Sequence, residues 1–305
     1  MLLNQMLDGL SPICDNVLYH IYGDSHVIGF RIVNLVLPGE PPCFDVTTRT
    51  GVWSFEKDSR YDLNVAAIRQ GQCAETYFTS HPAALSNGSA SVDAAFNEMI
   101  PLVLGASYLT GLSVTSKRSL PSSDVMLMQN GPHWPRERAM GDGNAIVKSE
   151  AEFVTKLEQF VAAWNTVGAQ EKALLLLHHW LDSMACWSFE DLYLSTTTLL
   201  QIIVETEKTV QARDMSYFQG VTAAAGRAGI RALSRDFKDM RNVLIHEGRL
   251  IGGSFSGTTL EDCADVAADV LNWFDEYIHA VIGLGSIVYP RFSRRDFLGL
   301  NAYSI

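Results

Sequence analysis

SEAEFVTKLEQFVAAW, residues Ser149–Trp164, is the stretch at which this chain changes character. Phe153, Leu157, Phe160, Val161 and Trp164 recur at three- and four-residue steps, which puts them on one face of a helix. Ser149 with Glu152 is capping-box chemistry: a hydroxyl to accept from the third helical N–H, and a carboxylate to reach back. Downstream, apolar stripes predict helices over Glu171–Trp187, Phe189–Val210 and Gly226–Glu247. Thr258 with Glu261 opens a last helix whose apolar face includes Leu260, Ala264, Ala267, Leu271, Phe274, Ile278 and Val281. Roughly four to five helices on short connections imply an antiparallel bundle. Trp164, Trp180, Trp187 and Trp273 are expected to fill its core.

Upstream of Ser149 the pattern is different. Val17–Tyr22, His26–Leu37 and Cys43–Thr48 are short runs rich in Val, Ile, Phe and Tyr. Gly23-Asp24 and Pro38-Gly39-Glu40-Pro41-Pro42 punctuate them with turn residues. Ala94–Leu112 has helical spacing, and the proline- and glycine-bearing segment Gly131–Asn144 reads as a linker. The expected fold class is therefore α+β: a β-rich N-terminal domain over residues 1–148, then an all-α bundle over 149–305.

Composition narrows the function. The chain has 305 residues, a net charge of −11 and five cysteines with no CxxC pair. The acidity argues against a generic nucleic-acid binder, whose affinity rests on neutralising phosphates. The scattered, odd cysteine set fits a reducing cytoplasm better than a disulfide framework or a zinc site. No apolar run reaches the ~18 residues of a membrane span, and Met1–Leu10 lacks the basic start of a secretory signal, so no membrane partner is expected.

The stretch Arg241-Asn242-Val243-Leu244-Ile245-His246 carries the chemistry. It sets a guanidinium fork, an amide and an imidazole within one short run. The fork can hold a phosphate through two parallel hydrogen bonds, and the imidazole can move a proton near neutral pH. Arg227, Arg231, Arg235 and Lys238 precede Arg241 at helical spacing and, on one continuous helix, would form a basic stripe able to guide RNA to it. Gly252–Gly257 runs into a helix start and could seat a phosphate on backbone N–H groups, although a plain surface loop is the commoner use. A competing reading has Arg241 neutralised by Asp239 or Glu247 and His246 merely capping its helix. Gly23-Asp24-Ser25-His26 is similar to the Gly-Asp-Ser block of SGNH esterases, in which Ser25 would be the nucleophile. The partner base and oxyanion loop of such an enzyme are missing from the sequence, and Gly-Asp between two β runs is ordinary hairpin chemistry.

Arg241, Asn242 and His246, in a helix-rich C-terminal half and followed by Gly248, resemble the signature of the HEPN superfamily over roughly residues 150–285. The resemblance implies a helical domain and, in many members, a metal-independent endoribonuclease of toxin or antiphage-defence systems. It assigns acid/base work to His246, phosphate holding to Arg241 and orientation to Asn242, with a 2′,3′-cyclic phosphate product and no cofactor or metal. It further implies RNA as substrate and a homodimer formed through the helical domain. The N-terminal domain would sense a trigger or bind a regulatory protein or ligand. A non-catalytic HEPN module, acting as a dimerisation or nucleotide-binding partner, is the alternative. Residues five apart on a straight helix point about 140° away from each other. Arg241 and His246 can therefore meet only if the helix distorts near His246 or if two chains share the site.

Overall fold

The computed structural model describes residues 18–22, 25–82, 88–116, 146–184, 186, 188–287 and 290–292, with backbone alone at 18–28 and 88–93. The linker read at Gly131–Asn144 and the loop residues Gly23 and Asp24 lie outside the described residues. The chain is α+β. Strands β1 (Leu18–Tyr22), β2 (Ser25–Val33), β3 (Cys43–Thr48) and β4 (Gly51–Lys57) are followed by α1 (Tyr61–Arg69), β5 (Glu75–Ser80), α2 (Gly88–Thr110) and β6 (Thr115–Ser116). Then come α3 (Glu150–Val167), α4 (Ala173–Ser183), α5 (Phe189–Gln211), α6 (Tyr217–Ala228), α7 (Asp236–Glu247) and α8 (Leu260–Ile282).

The strands pair antiparallel in the order β1-β2-β5-β4-β3, and β6 pairs with β2. Tyr22 stands opposite Ser25, so β1 and β2 form the hairpin that Gly23-Asp24 foretold. Alternation sets the two faces of the sheet. Phe44, Val46, Trp53 and Phe55 point inward, while Asp45, Ser54 and Glu56 are exposed. β2 stops short of Leu37 because Asn34 takes a left-handed conformation (φ 62°). Its buried amide bonds the Ser113 carbonyl at 3.1 Å and accepts from the Ala74 N–H at 3.1 Å. β4, α1 and β5 were not anticipated.

The apolar face of the sheet packs on α2 and α3. Phe30 meets Phe96 edge-on at 5.4 Å, and Phe44 meets Phe153 edge-on at 5.8 Å. α3 begins at Ser149 as expected: the Ser149 hydroxyl accepts from the Glu152 N–H, and the Glu152 carboxylate accepts from the Lys148 N–H at 2.9 Å. Phe153, Leu157, Phe160 and Val161 are its buried stripe. One apolar cluster runs without interruption from Phe30 and Trp53 in the sheet to Trp180, Trp273 and Phe292 in the helical part.

The sequence reading of Gly226–Glu247 as one helix needs correction. Gly229 adopts φ 68° and closes α6, and the Ile230 N–H returns to the Ala225 carbonyl at 3.0 Å. Seven irregular residues then separate α6 from α7. The last helix also starts one residue later than expected, capped by Thr259 with Asp262, and Leu260, assigned to its buried face, is 56% exposed.

A largely buried ionic knot ties α5, α6 and α8 to the turn that follows α3. The Arg227 guanidinium donates to Glu207 at 2.7 Å and to both oxygens of Glu171 at 2.8 and 3.0 Å. It also donates to the Tyr277 hydroxyl at 2.8 Å, and Tyr277 donates in turn to Glu171 at 2.6 Å. Glu171, Glu207 and Tyr277 are 2%, 0% and 0% exposed, so neither carboxylate has water to fall back on.

Candidate functional site

The chemistry-bearing residues sit on α7. Ser234 accepts from the Asp236 N–H, and Gly248 stops the helix at φ 65° with its N–H on the Leu244 carbonyl at 3.1 Å. Phe237, Met240, Val243 and Leu244 form the buried face of α7. Met240, Val243 and Leu244 pack against Tyr193 of α5, Cys263 and Ala267 of α8, and Leu250 and Phe255 of the following loop. Burying each such side chain contributes roughly 1.5–3 kcal/mol, which a twelve-residue helix needs, since one this short is marginal alone.

Arg241 lies one turn beyond Phe237. Its guanidinium carbon is 5.0 Å from the centroid of the Tyr217 ring, and that ring packs on Phe237 at 5.6 Å. Arg241 is half-buried, and its Nε is shut from water with no hydrogen-bond partner. No carboxylate among the described residues pairs with it. The acids that could have neutralised it are engaged elsewhere: Asp239 holds Arg235 at 3.3 Å, and Glu247 holds Arg249. Among the described residues the other half-buried or buried arginines from Ser149 onward, Arg227 and Arg291, are both ion-paired.

Asn242 is half-buried beside Arg241, and neither its amide nor the imidazole of His246 makes a hydrogen bond to a described residue. His246 is exposed in the last turn, flanked by exposed Ile245 and Glu247. α7 is unbroken through Glu247, so the distortion that could have brought Arg241 and His246 together within one chain is not used. The two side chains leave the helix in different directions. Cys263, behind α7, is fully buried, and burial pushes its thiol up to about 11.

The basic stripe does not form. Its residues fall on two helices and the irregular segment between them. Arg227 is locked in the ionic knot, Arg231 pairs with Asp269 at 2.7 Å and Glu276 at 3.0 Å, and Arg235 pairs with Asp239. Lys238, half-buried on α7, has no ion pair among the described residues, so of these four it alone keeps a charge on offer. The glycine-rich segment is likewise unsuited to an anion. The Asp262 carboxylate already accepts from the Thr258 and Thr259 N–H groups at 2.7 and 2.9 Å, bonds that hold its carboxyl below the usual range. The adjoining cleft is lined by Asp236, Asp262, Asp265 and Asp269, which would repel a phosphate.

Sequence reasoning could not have found Tyr217. It lies on a different helix, and the ring's role is visible only once α6 is folded against α7. Among the described residues no helix is long and apolar enough to cross a membrane, and no three His, Cys, Asp or Glu side chains gather as metal ligands would. No protein-family model, curated protein or solved structure matches this chain.

Proposed function

We propose that this chain is a HEPN-type, metal-independent endoribonuclease, a toxin or antiphage effector of the cytoplasm that works as a homodimer through its helical bundle. One observation carries the reading: Arg241 is a half-buried guanidinium without an acid partner among the described residues, on the same helix as a water-exposed imidazole, His246. A cation left unpaired at a half-dehydrated position is unfavourable unless an anion comes to it. In this mechanism the Nη edge of Arg241 holds the non-bridging oxygens of a phosphodiester and stabilises the charge that grows there. One His246 withdraws the proton from the 2′-hydroxyl, the 2′-oxygen attacks phosphorus, and the bond to the 5′-oxygen breaks. The His246 of the second copy supplies the proton that the 5′-oxygen takes up. The N-terminal sheet, whose strands β3 and β4 expose their outward side chains, is the part available to a regulatory protein or ligand.

The divergence of Arg241 and His246 within one chain favours a second reading, a non-catalytic HEPN module that dimerises or binds a nucleotide. The two readings separate on one experiment. Purified protein is sized and assayed for RNA cleavage in EDTA, alongside His246→Ala. The endoribonuclease reading expects a dimer, cyclic-phosphate ends, and loss of cleavage by about 100-fold or more in the variant with the dimer intact. Cleavage that persists at the same rate in His246→Ala, or its absence from the wild-type dimer, leaves the non-catalytic module.

A further inference from the structure

The geometry points to Tyr217 as the positioning residue of Arg241, an aromatic platform that holds the guanidinium with its Nη edge turned toward an incoming phosphate. This assignment rests on the ribonuclease reading and goes beyond it, because nothing in the Arg-to-His motif reaches α6. The ring is fixed on several sides. The Tyr217 hydroxyl donates to the Thr197 carbonyl of α5 at 3.0 Å, and the ring meets Phe237 edge-on at 5.6 Å. α6 is pressed onto α5 so closely that a Cβ at Gly220 would lie 2.6 Å from Val204. Phe218, the next residue, stacks on Phe237 at 5.9 Å, so α6 and α7 share one aromatic layer.

Onto this layer Arg241 brings its guanidinium carbon at 5.0 Å from the Tyr217 centroid. The buried Nε closes the back of the fork, and the Nη nitrogens are not shut away with it. A planar guanidinium on a ring keeps its in-plane donors free for a bidentate contact. An acid partner would have occupied those donors instead. The ring therefore does what a carboxylate elsewhere in the bundle does for Arg227, orienting the cation, but without cancelling its charge.

The test is a double-mutant cycle read by RNA affinity and by steady-state cleavage. Binding of a fluorescent single-stranded RNA is measured for the wild type, Tyr217→Leu, Tyr217→Phe, Arg241→Met and the Tyr217→Leu/Arg241→Met pair. Sizing and thermal melts are run on each variant. Tyr217→Leu is expected to weaken RNA binding about 2- to 30-fold, the fold-change of a cation–π contact. The loss should appear in KM as well as kcat. Tyr217→Phe, which keeps the ring and loses only the bond to Thr197, should stay within about twofold of wild type in affinity. In the Arg241→Met background, Tyr217→Leu should add less than about twofold, because a platform with nothing to hold has no effect. Equal losses from Tyr217→Leu with and without Arg241, or a loss in Tyr217→Phe as large as in Tyr217→Leu, would overturn the assignment while leaving the ribonuclease reading intact. RNA affinity and cleavage unmoved by Arg241→Met would overturn both.

Discussion

Replacing Arg227 with Met removes the only cation of the ionic knot while keeping much of the side chain's apolar bulk. Glu171 and Glu207 would then stay buried, at 2% and 0% exposure, with no opposite charge. Breaking a buried pair from one side costs about 3–5 kcal/mol. Arg227 itself is 24% exposed, so water can reach the vacated position and the lower end, about 3 kcal/mol, is expected at pH 7. At ~2–4 °C per kcal/mol for a chain of this size, the melting temperature should fall by roughly 6–12 °C. The penalty should also depend on pH. Burial pushes the Glu171 carboxyl up, but hydrogen bonds from Arg227 and Tyr277 outweigh it and hold the carboxyl below the usual 4.5. That contribution is complete above the unfolded value and is lost as pH falls through the folded one. Without Arg227 the burial effect is opposed only by the hydrogen bonds from Tyr277 and Gln170, so Glu171 takes up its proton at higher pH. Urea midpoints measured from pH 8 to pH 4 should therefore show the wild-type advantage shrinking as acid neutralises Glu171. A pH 7 penalty under about 1 kcal/mol, or one equally large at pH 4, would refute the reasoning.

Other substitutions test separate parts of the structure. Burial pushes the His279 imidazole down to about 4 from 6.5, only partly offset by Asp275 and the Gly285 carbonyl. The unfolded chain takes up that proton first, so stability should decline by ~3 kcal/mol as pH drops from about 6.5 to about 4, and His279→Gln should flatten that part of a urea-midpoint profile. Gly220→Ala should lower the unfolding free energy read from urea titration by ~1–3 kcal/mol, despite alanine's better helix propensity, because the new methyl meets Val204. If RNA binds at α7, Lys238→Gln should reduce the salt slope of binding by about 0.7, whereas Arg231→Gln, already balanced by Asp269 and Glu276, should leave it unchanged.

The helical half was the more legible part of the chain. α3 and α5 repeat apolar residues through several turns and begin at serine caps; α3 starts where expected, and both ends of α5 fell within a residue of expectation. The Gly226–Glu247 reading failed because spacing was counted across Gly229, a residue that stops a helix by taking the left-handed conformation. In the N-terminal part, β4 carries a clear alternation of Trp53 and Phe55 against Val52, Ser54 and Glu56, so its signal was present but unread. α1 was harder to see: it has nine residues and no side-chain hydrogen bond at its Arg60 cap. Arg241, Asn242 and His246 could be picked out because they lie close together in sequence. Their surroundings could not, since Tyr217, Asp239 with Arg235, and Glu247 with Arg249 acquire meaning only from distances between folded side chains.

On α3, the carboxylate of Glu158 accepts the outward N–H of Thr47 at 2.7 Å, and Thr47 belongs to β3, the last strand on its side of the sheet. A free rim of this kind invites a neighbouring molecule to add its own strand and so begin a fibre. Here a helix of the same chain plugs one of the sockets such growth would use, and any intruding strand must first evict a negative charge.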